Sequence, residues 1–205
     1  MVRHLLSAVF LLMSCGFVAG HELPDGAVER RIQVSVKPDR VLMEYSIAMN
    51  AVTLKMELKA HGVSLAKTDD ERRKQYQEVV LRSLPKKMRL TLDGESAAIK
   101  PVRADYSGWS HPHLTCLFRA ELEAFDRSAS IAFSDENFPN ASGSYRIAMK
   151  GRSGVRVINS TVPALVSQAR PVELEDLSKS QRATVMMAKG EIVVDGREDG
   201  RGESR

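Results

Sequence analysis

Apolar and polar residues alternate with a period of two through most of the chain. Ile32, Val34 and Val36 alternate with Arg31, Gln33, Ser35 and Lys37. After Pro38-Asp39 the pattern resumes at Val41, Met43, Tyr45, Ile47 and Met49. Successive strand side chains point to opposite faces, so each run predicts a strand with one buried face. Met88, Leu90 and Leu92 lead into Asp93-Gly94, a dipeptide that tolerates positive φ and predicts a tight hairpin. The clearest stripe is Leu114, Cys116, Phe118, Ala120 and Leu122, with His113, Thr115, Leu117 and Arg119 on the other face. Ile131 and Phe133, then Tyr145, Ile147 and Met149, then Val155 and Val157 continue the pattern. Short alternating runs separated by turn residues predict a mostly all-β fold, an antiparallel β-sandwich.

One inserted helix is predicted over residues 69–84. Thr68 and Glu71 form a capping-box pair in which each side chain satisfies an orphan amide of the first turn. Asp69 and Asp70 suit the positive end of the helix dipole. Tyr76, Val79, Val80 and Leu84 share one face, and Pro85 is expected to end the run. Residues 52–60 read both ways. Val52, Leu54, Met56, Leu58 and Ala60 alternate as in a strand, while Lys, Met, Glu and Leu favour a helix.

Composition narrows the class. Of 205 residues 43% are apolar and 27% charged, with a net charge of +4, which excludes disorder for most of the chain. The one long apolar run, Leu5 to Val18, follows Arg3-His4 and precedes the small residues Val18-Ala19-Gly20. That layout predicts a signal peptide over residues 1–20, cleaved to leave His21 first, and hence a secreted or periplasmic protein. Lipoprotein anchoring at Cys15 is the rival, opposed by Met13 before it and the apolar Phe17-Val18 after it. Cleavage removes one of the 30 basic residues and none of the 26 acidic ones, leaving +3. No basic block accompanies this mild charge, so no nucleic-acid partner is expected. Cys116 is then the lone cysteine and has no intrachain partner. Residues 21–194 are read as one domain. Residues 195–205 hold three glycines and no apolar side chain, and are expected to be a disordered tail with no transmembrane segment.

Several pieces between residues 21 and 165 fall in a familiar order. They are His21, Asp39-Arg40-Val41, the helix from Asp69 to Leu84, and the Asp93-Gly94 hairpin. Ser134-Asp135-Glu136-Asn137-Phe138-Pro139 then runs into Gly143-Ser144-Tyr145-Arg146-Ile147, followed by Gly154-Val155 and Asn159-Ser160-Thr161-Val162-Pro163. This layout resembles the extracytoplasmic N-terminal domain of bacterial membrane proteins of the nickel/cobalt transporter type. Two departures limit what the resemblance implies. Leu23-Pro24-Asp25-Gly26 stands where that family has Gly-Asn-Phe, and no apolar span follows Val194. The resemblance therefore implies a free-standing exported domain for sensing, docking or metal handling, with a membrane transporter or other envelope protein as partner, and not a transporter.

Candidate chemistry is confined to histidines. As an N-terminal residue, His21 offers its α-amine and Nδ1 as a bidentate pair suited to Cu(II), Ni(II) or Zn(II); the plain alternative is a solvated terminus. His111 and His113 are two apart and share a strand face, so both imidazoles can project together. The alternative is an exposed His-Pro-His loop beneath Trp109 and Tyr106. His21, His111 and His113 make a metal site only where folding unites them. His61 beside Gly62 reads as a turn residue, and Cys116 as a small buried hydrophobe with a raised pKa. Asp135-Glu136 reads as a polar strand end or turn. No Gly-x-Ser-x-Gly elbow, P-loop or His-Glu-x-x-His occurs. The expected role is non-catalytic binding, with metal or, alternatively, as a structural or partner-docking sandwich without it. A copper enzyme using His21 as half of a histidine brace is the third reading.

Overall fold

The computed structural model describes residues 23–107, 113–123 and 128–194. The expected signal peptide, His21, His111, and the expected tail from 195 onward lie outside these residues. The described elements form a mostly-β sandwich of two sheets. The first sheet contains β1 (Glu29–Val36), β2 (Arg40–Ala48), β5 (Ile99–Ser107), β6 (His113–Glu121), β8 (Ser144–Gly151) and β10 (Val172–Glu173), in the order β10-β8-β1-β2-β6-β5. The second contains β3 (Met88–Leu92), β4 (Glu95–Ala97), β7 (Ser128–Asp135), β9 (Val155–Ile158) and β11 (Met187–Val194), in the order β4-β3-β7-β11-β9. Pairing is antiparallel except between β1 and β8, which run parallel. The long path from β1 to β8 lets those strands align head to head, whereas the predicted hairpins enforce antiparallel neighbours.

The alternating stripes supply the core. Ile32, Val34, Val41, Met43, Leu114, Cys116, Phe118, Ile131 and Phe133 are buried on the facing sides of the sheets. The Asp93-Gly94 turn joins β3 and β4 with φ of 49° and 84° at its two residues, the double left-handed geometry of a type I′ hairpin. Pro101 sits in β5 beside a break in register, on the edge strand, where proline is tolerated.

Three α-helices are present among the described residues: α1 (Ala51–Ala60), α2 (Asp69–Ser83) and α3 (Lys179–Val185). In α2 the Thr68–Glu71 capping box forms, and Tyr76, Val79 and Val80 are buried as their spacing predicts. The α-helical run ends at Ser83, capped by Leu84 just ahead of Pro85, as expected. Pro85 itself sits in the first turn of a short 3₁₀ helix, Leu84–Lys87, where a missing amide hydrogen is tolerated. The ambiguous residues 52–60 are helical. Asn50 decides it, because its side chain accepts from the Thr53 amide at 2.8 Å and starts α1. α3 adds a further helix beyond the single one expected, capped by Ser178 with Gln181. No described helix is long and apolar enough to cross a membrane.

Candidate functional site

Extending the strand alternation by one step brings two charged residues into the core. Arg30 shares the inward face of β1 with Ile32 and Val34, and Asp135 shares that of β7 with Ile131 and Phe133. Arg30 is fully buried and Asp135 nearly so. A buried charge must be met by hydrogen bonds or opposite charge; Asp135 is met at both oxygens, while Arg30 Nε and Nη2 are buried without a hydrogen-bond partner.

Both carboxyl oxygens of Asp135 are engaged. Its Oδ1 accepts from the Asn137 amide at 3.0 Å and from Asn137 Nδ2 at 2.7 Å. Its Oδ2 accepts from the Tyr45 hydroxyl at 2.8 Å. Burial pushes the Asp135 carboxyl above the usual range, while the Arg30 charge and the Asn137 and Tyr45 hydrogen bonds oppose it. Arg30 Nη1 donates to the Asn137 carbonyl at 2.7 Å. The guanidinium carbon lies 5.1 Å from the Tyr145 ring centre and 5.6 Å from that of Phe138, so two aromatic faces stand in for part of its solvation.

The consequence is a fixed loop after β7. Asn137 also donates to the Leu84 carbonyl at 3.1 Å, tying that loop to the end of α2. Phe138 is held at φ 49°, a left-handed conformation that a bulky side chain adopts only when its surroundings impose it. The loop forms one wall of a cleft of about 440 Å³, whose other wall is α1 and the end of α2. Glu57, His61 and Lys87 line it opposite Asn137 and Phe138. Burial raises the Glu57 carboxyl, and the charges of His61 and Lys87 pull it back. The cleft thus presents both signs of charge beside the aromatic edge of Phe138.

The histidines are dispersed among the described residues. His113 is the first residue of β6, half-buried, with Ala48 and Ser107 as cross-strand partners. It faces outward with Thr115, as the alternation predicts. His61 is the exposed C-cap of α1. It lies in the turn that ends α1, as its place beside Gly62 predicts, and it also lines the cleft. No three His, Cys, Asp or Glu side chains converge on a metal position among the described residues. His21 and His111, the other expected ligands, lie outside them.

At the same end as His113, Asn50 Nδ2 donates to the Leu23 carbonyl at 2.9 Å and to Asp25 Oδ1 at 2.7 Å. A shallow depression of about 360 Å³ lies there, lined by Leu23, Asp25 and Asn50. Arg30 belongs to no motif in the sequence, and Asp135, which reads there as a polar strand end, is a buried partner in the core instead. The parity that buries their neighbours is the available clue to both. No family model and no curated protein matches the chain.

Proposed function

We propose that the chain is an exported, non-catalytic binding domain that takes up one Cu(II), Ni(II) or Zn(II) at the end of the sandwich bearing His113. One arrangement supports this reading. Asn50 ties down Leu23, two residues after His21, and Ala48, two residues before Asn50, is the cross-strand partner of His113. The chain therefore enters the fold beside the start of β6. A metal held by the α-amine and imidazole of His21 would find further imidazole ligands in His113 and His111. The resemblance to the extracytoplasmic domain of nickel/cobalt transporter-type proteins points to the same chemistry and to an envelope protein as partner.

Titration calorimetry on the secreted, processed protein tests this. Intact mass first establishes whether the chain begins at His21. The native terminus should bind one metal ion more tightly as pH rises from 5 to 8, because the ligands must lose protons. One extra residue before His21 should abolish the tight phase by turning the amine into an amide, and His113→Ala should weaken it at least tenfold. Equal binding by native and extended termini removes the metal reading.

A second reading, partner docking without metal, is favoured by Val52 and Met56. They are 46% and 54% exposed one turn apart on α1 and present an apolar stripe between the shallow depression and the cleft. Retention of an envelope partner by the His113→Ala protein, with loss in Met56→Glu, would select it.

A further inference from the structure

The flanking strands cover β8 and β11 only in part: β10 pairs β8 at Ser144 and Tyr145, and β9 pairs β11 from Glu191 to Val194. β8 of the first sheet and β11 of the second border a cleft of about 640 Å³, within the range of small-molecule sites. Its apolar wall includes Val162, Pro163, Val172, Val185 and Met187. Its charged lining is of one sign: Arg146, Arg170 and Lys189, with no carboxylate. None of these three cations forms an ion pair among the described residues.

Unmet hydrogen-bonding groups mark the same place. Arg146 Nε is buried without a partner. The backbone adds a second. Leu174 donates to the Gly143 carbonyl, Val172 pairs with Tyr145, and the Met149 amide donates to the Pro163 carbonyl. All three contacts lie on the edge of β8 that faces away from β1. Residues two apart present their peptide groups on the same edge, so those of Ile147 point there too. β10 ends before reaching Ile147, which leaves its peptide group facing the cleft.

The geometry points to a binding site for a carboxylate-headed amphiphile, with its head on Arg146 and Arg170 and its alkyl chain along Val162, Val185 and Met187. A carboxylate satisfies guanidinium donors in pairs and can accept from a strand amide, which suits the orphan Nε and Ile147 N–H. A cation would meet three like charges. A neutral chain would leave the buried donors unpaired, at the cost such groups carry. This site is separate from the His113 end and stands or falls without it.

Calorimetric titration of the purified chain with decanoate, acetate and decyltrimethylammonium, each below its micelle-forming concentration, tests the inference. Decanoate should bind saturably at one site, and the other two at least tenfold more weakly. The Ile147 amide resonance should shift with decanoate alone. Arg146→Gln and Arg170→Gln should each weaken decanoate at least tenfold with an unchanged thermal midpoint. Arg170 is exposed, so its variant carries the test should Arg146→Gln fail to fold. Equal affinity for decanoate and the alkylammonium, absence of saturable decanoate binding, or undiminished binding by Arg170→Gln would overturn it.

Discussion

The Tyr45 hydroxyl reaches from β2 across the interior of the sandwich to donate to Asp135 at the end of β7, 2.8 Å away. That bond joins the two sheets through a carboxyl whose pKa burial has raised. The sign of the pH effect follows. With its pKa higher in the folded chain, Asp135 binds more protons folded than unfolded between the two values. Stability from this group is therefore greatest below the ordinary carboxylate pKa, near about pH 4, and falls as pH rises to the folded value. Above that value it is flat. Urea denaturation of the wild type and of Asp135→Asn across this window checks it. The difference between their stabilities should shift toward the variant as pH rises, and a difference that does not move with pH would refute the assignment.

Arg30 and Asp135 should prove energetically coupled. Removing either leaves the other buried with less compensation, which costs on the order of 3 kcal/mol where a buried pair is broken. Arg30→Met also loses the bond to the Asn137 carbonyl and the contacts with Tyr145 and Phe138. The double variant Arg30→Met/Asp135→Asn should therefore be less destabilised than the sum of the single ones. A double-mutant cycle by chemical denaturation measures this, and strict additivity would mean that the two charges do not sense each other.

Strands with one buried face are legible because burial imposes period two on them. β1, β2, β6, β7 and β8 fall where the alternation predicts. β5 escapes it, since this edge strand is mostly exposed and shows no stripe. β11 is hidden by Gly190 at an inward position, where a Cβ would come within 2.9 Å of the Val157 side chain. α3 buries no residue, so its only clue is the cap formed by Ser178 and Gln181. The core charge pair is written in the same alternation. Arg30 and Asp135 stay hidden as long as charge is equated with exposure, although an arginine between two rings can be solvated by the protein itself.

Cys116 should behave as a hydrophobe. It is fully buried between the sheets, and burial pushes its thiol up to about 12, so almost no thiolate exists at neutral pH. A bulky disulfide reagent should label it slowly in the native protein and quickly in denaturant. Cys116→Ala should cost roughly 1–2 kcal/mol through lost apolar burial and a small cavity. Fast native labelling would mean that the register of β6, and with it the outward placement of His113, is wrong.

Two neighbouring glycines should respond very differently to the same added methyl group. Gly151 ends β8 where the chain turns back toward β9, and a Cβ there would fall 1.9 Å from the Val155 carbonyl oxygen and 2.6 Å from its carbon. Those are backbone atoms of a tight turn, anchored by Arg152 donating to the Val36 carbonyl at 2.8 Å and Val155 donating to the Arg152 carbonyl at 3.2 Å. No rotamer change relieves the clash, so the turn itself must open. Gly154 lies in the same turn at φ 79°, and a methyl group added there would meet nothing within 4 Å. Gly154→Ala thus meets only the left-handed backbone penalty, roughly 1–2 kcal/mol. Gly151→Ala should exceed it severalfold, on the order of 4 kcal/mol, a size reserved for forced backbone rearrangement or comparable disruption. Thermal and urea unfolding of the two variants decide the point. Similar midpoints for both would show that the strand end yields to the methyl group and that the β8–β9 turn is not the rigid corner its contacts imply.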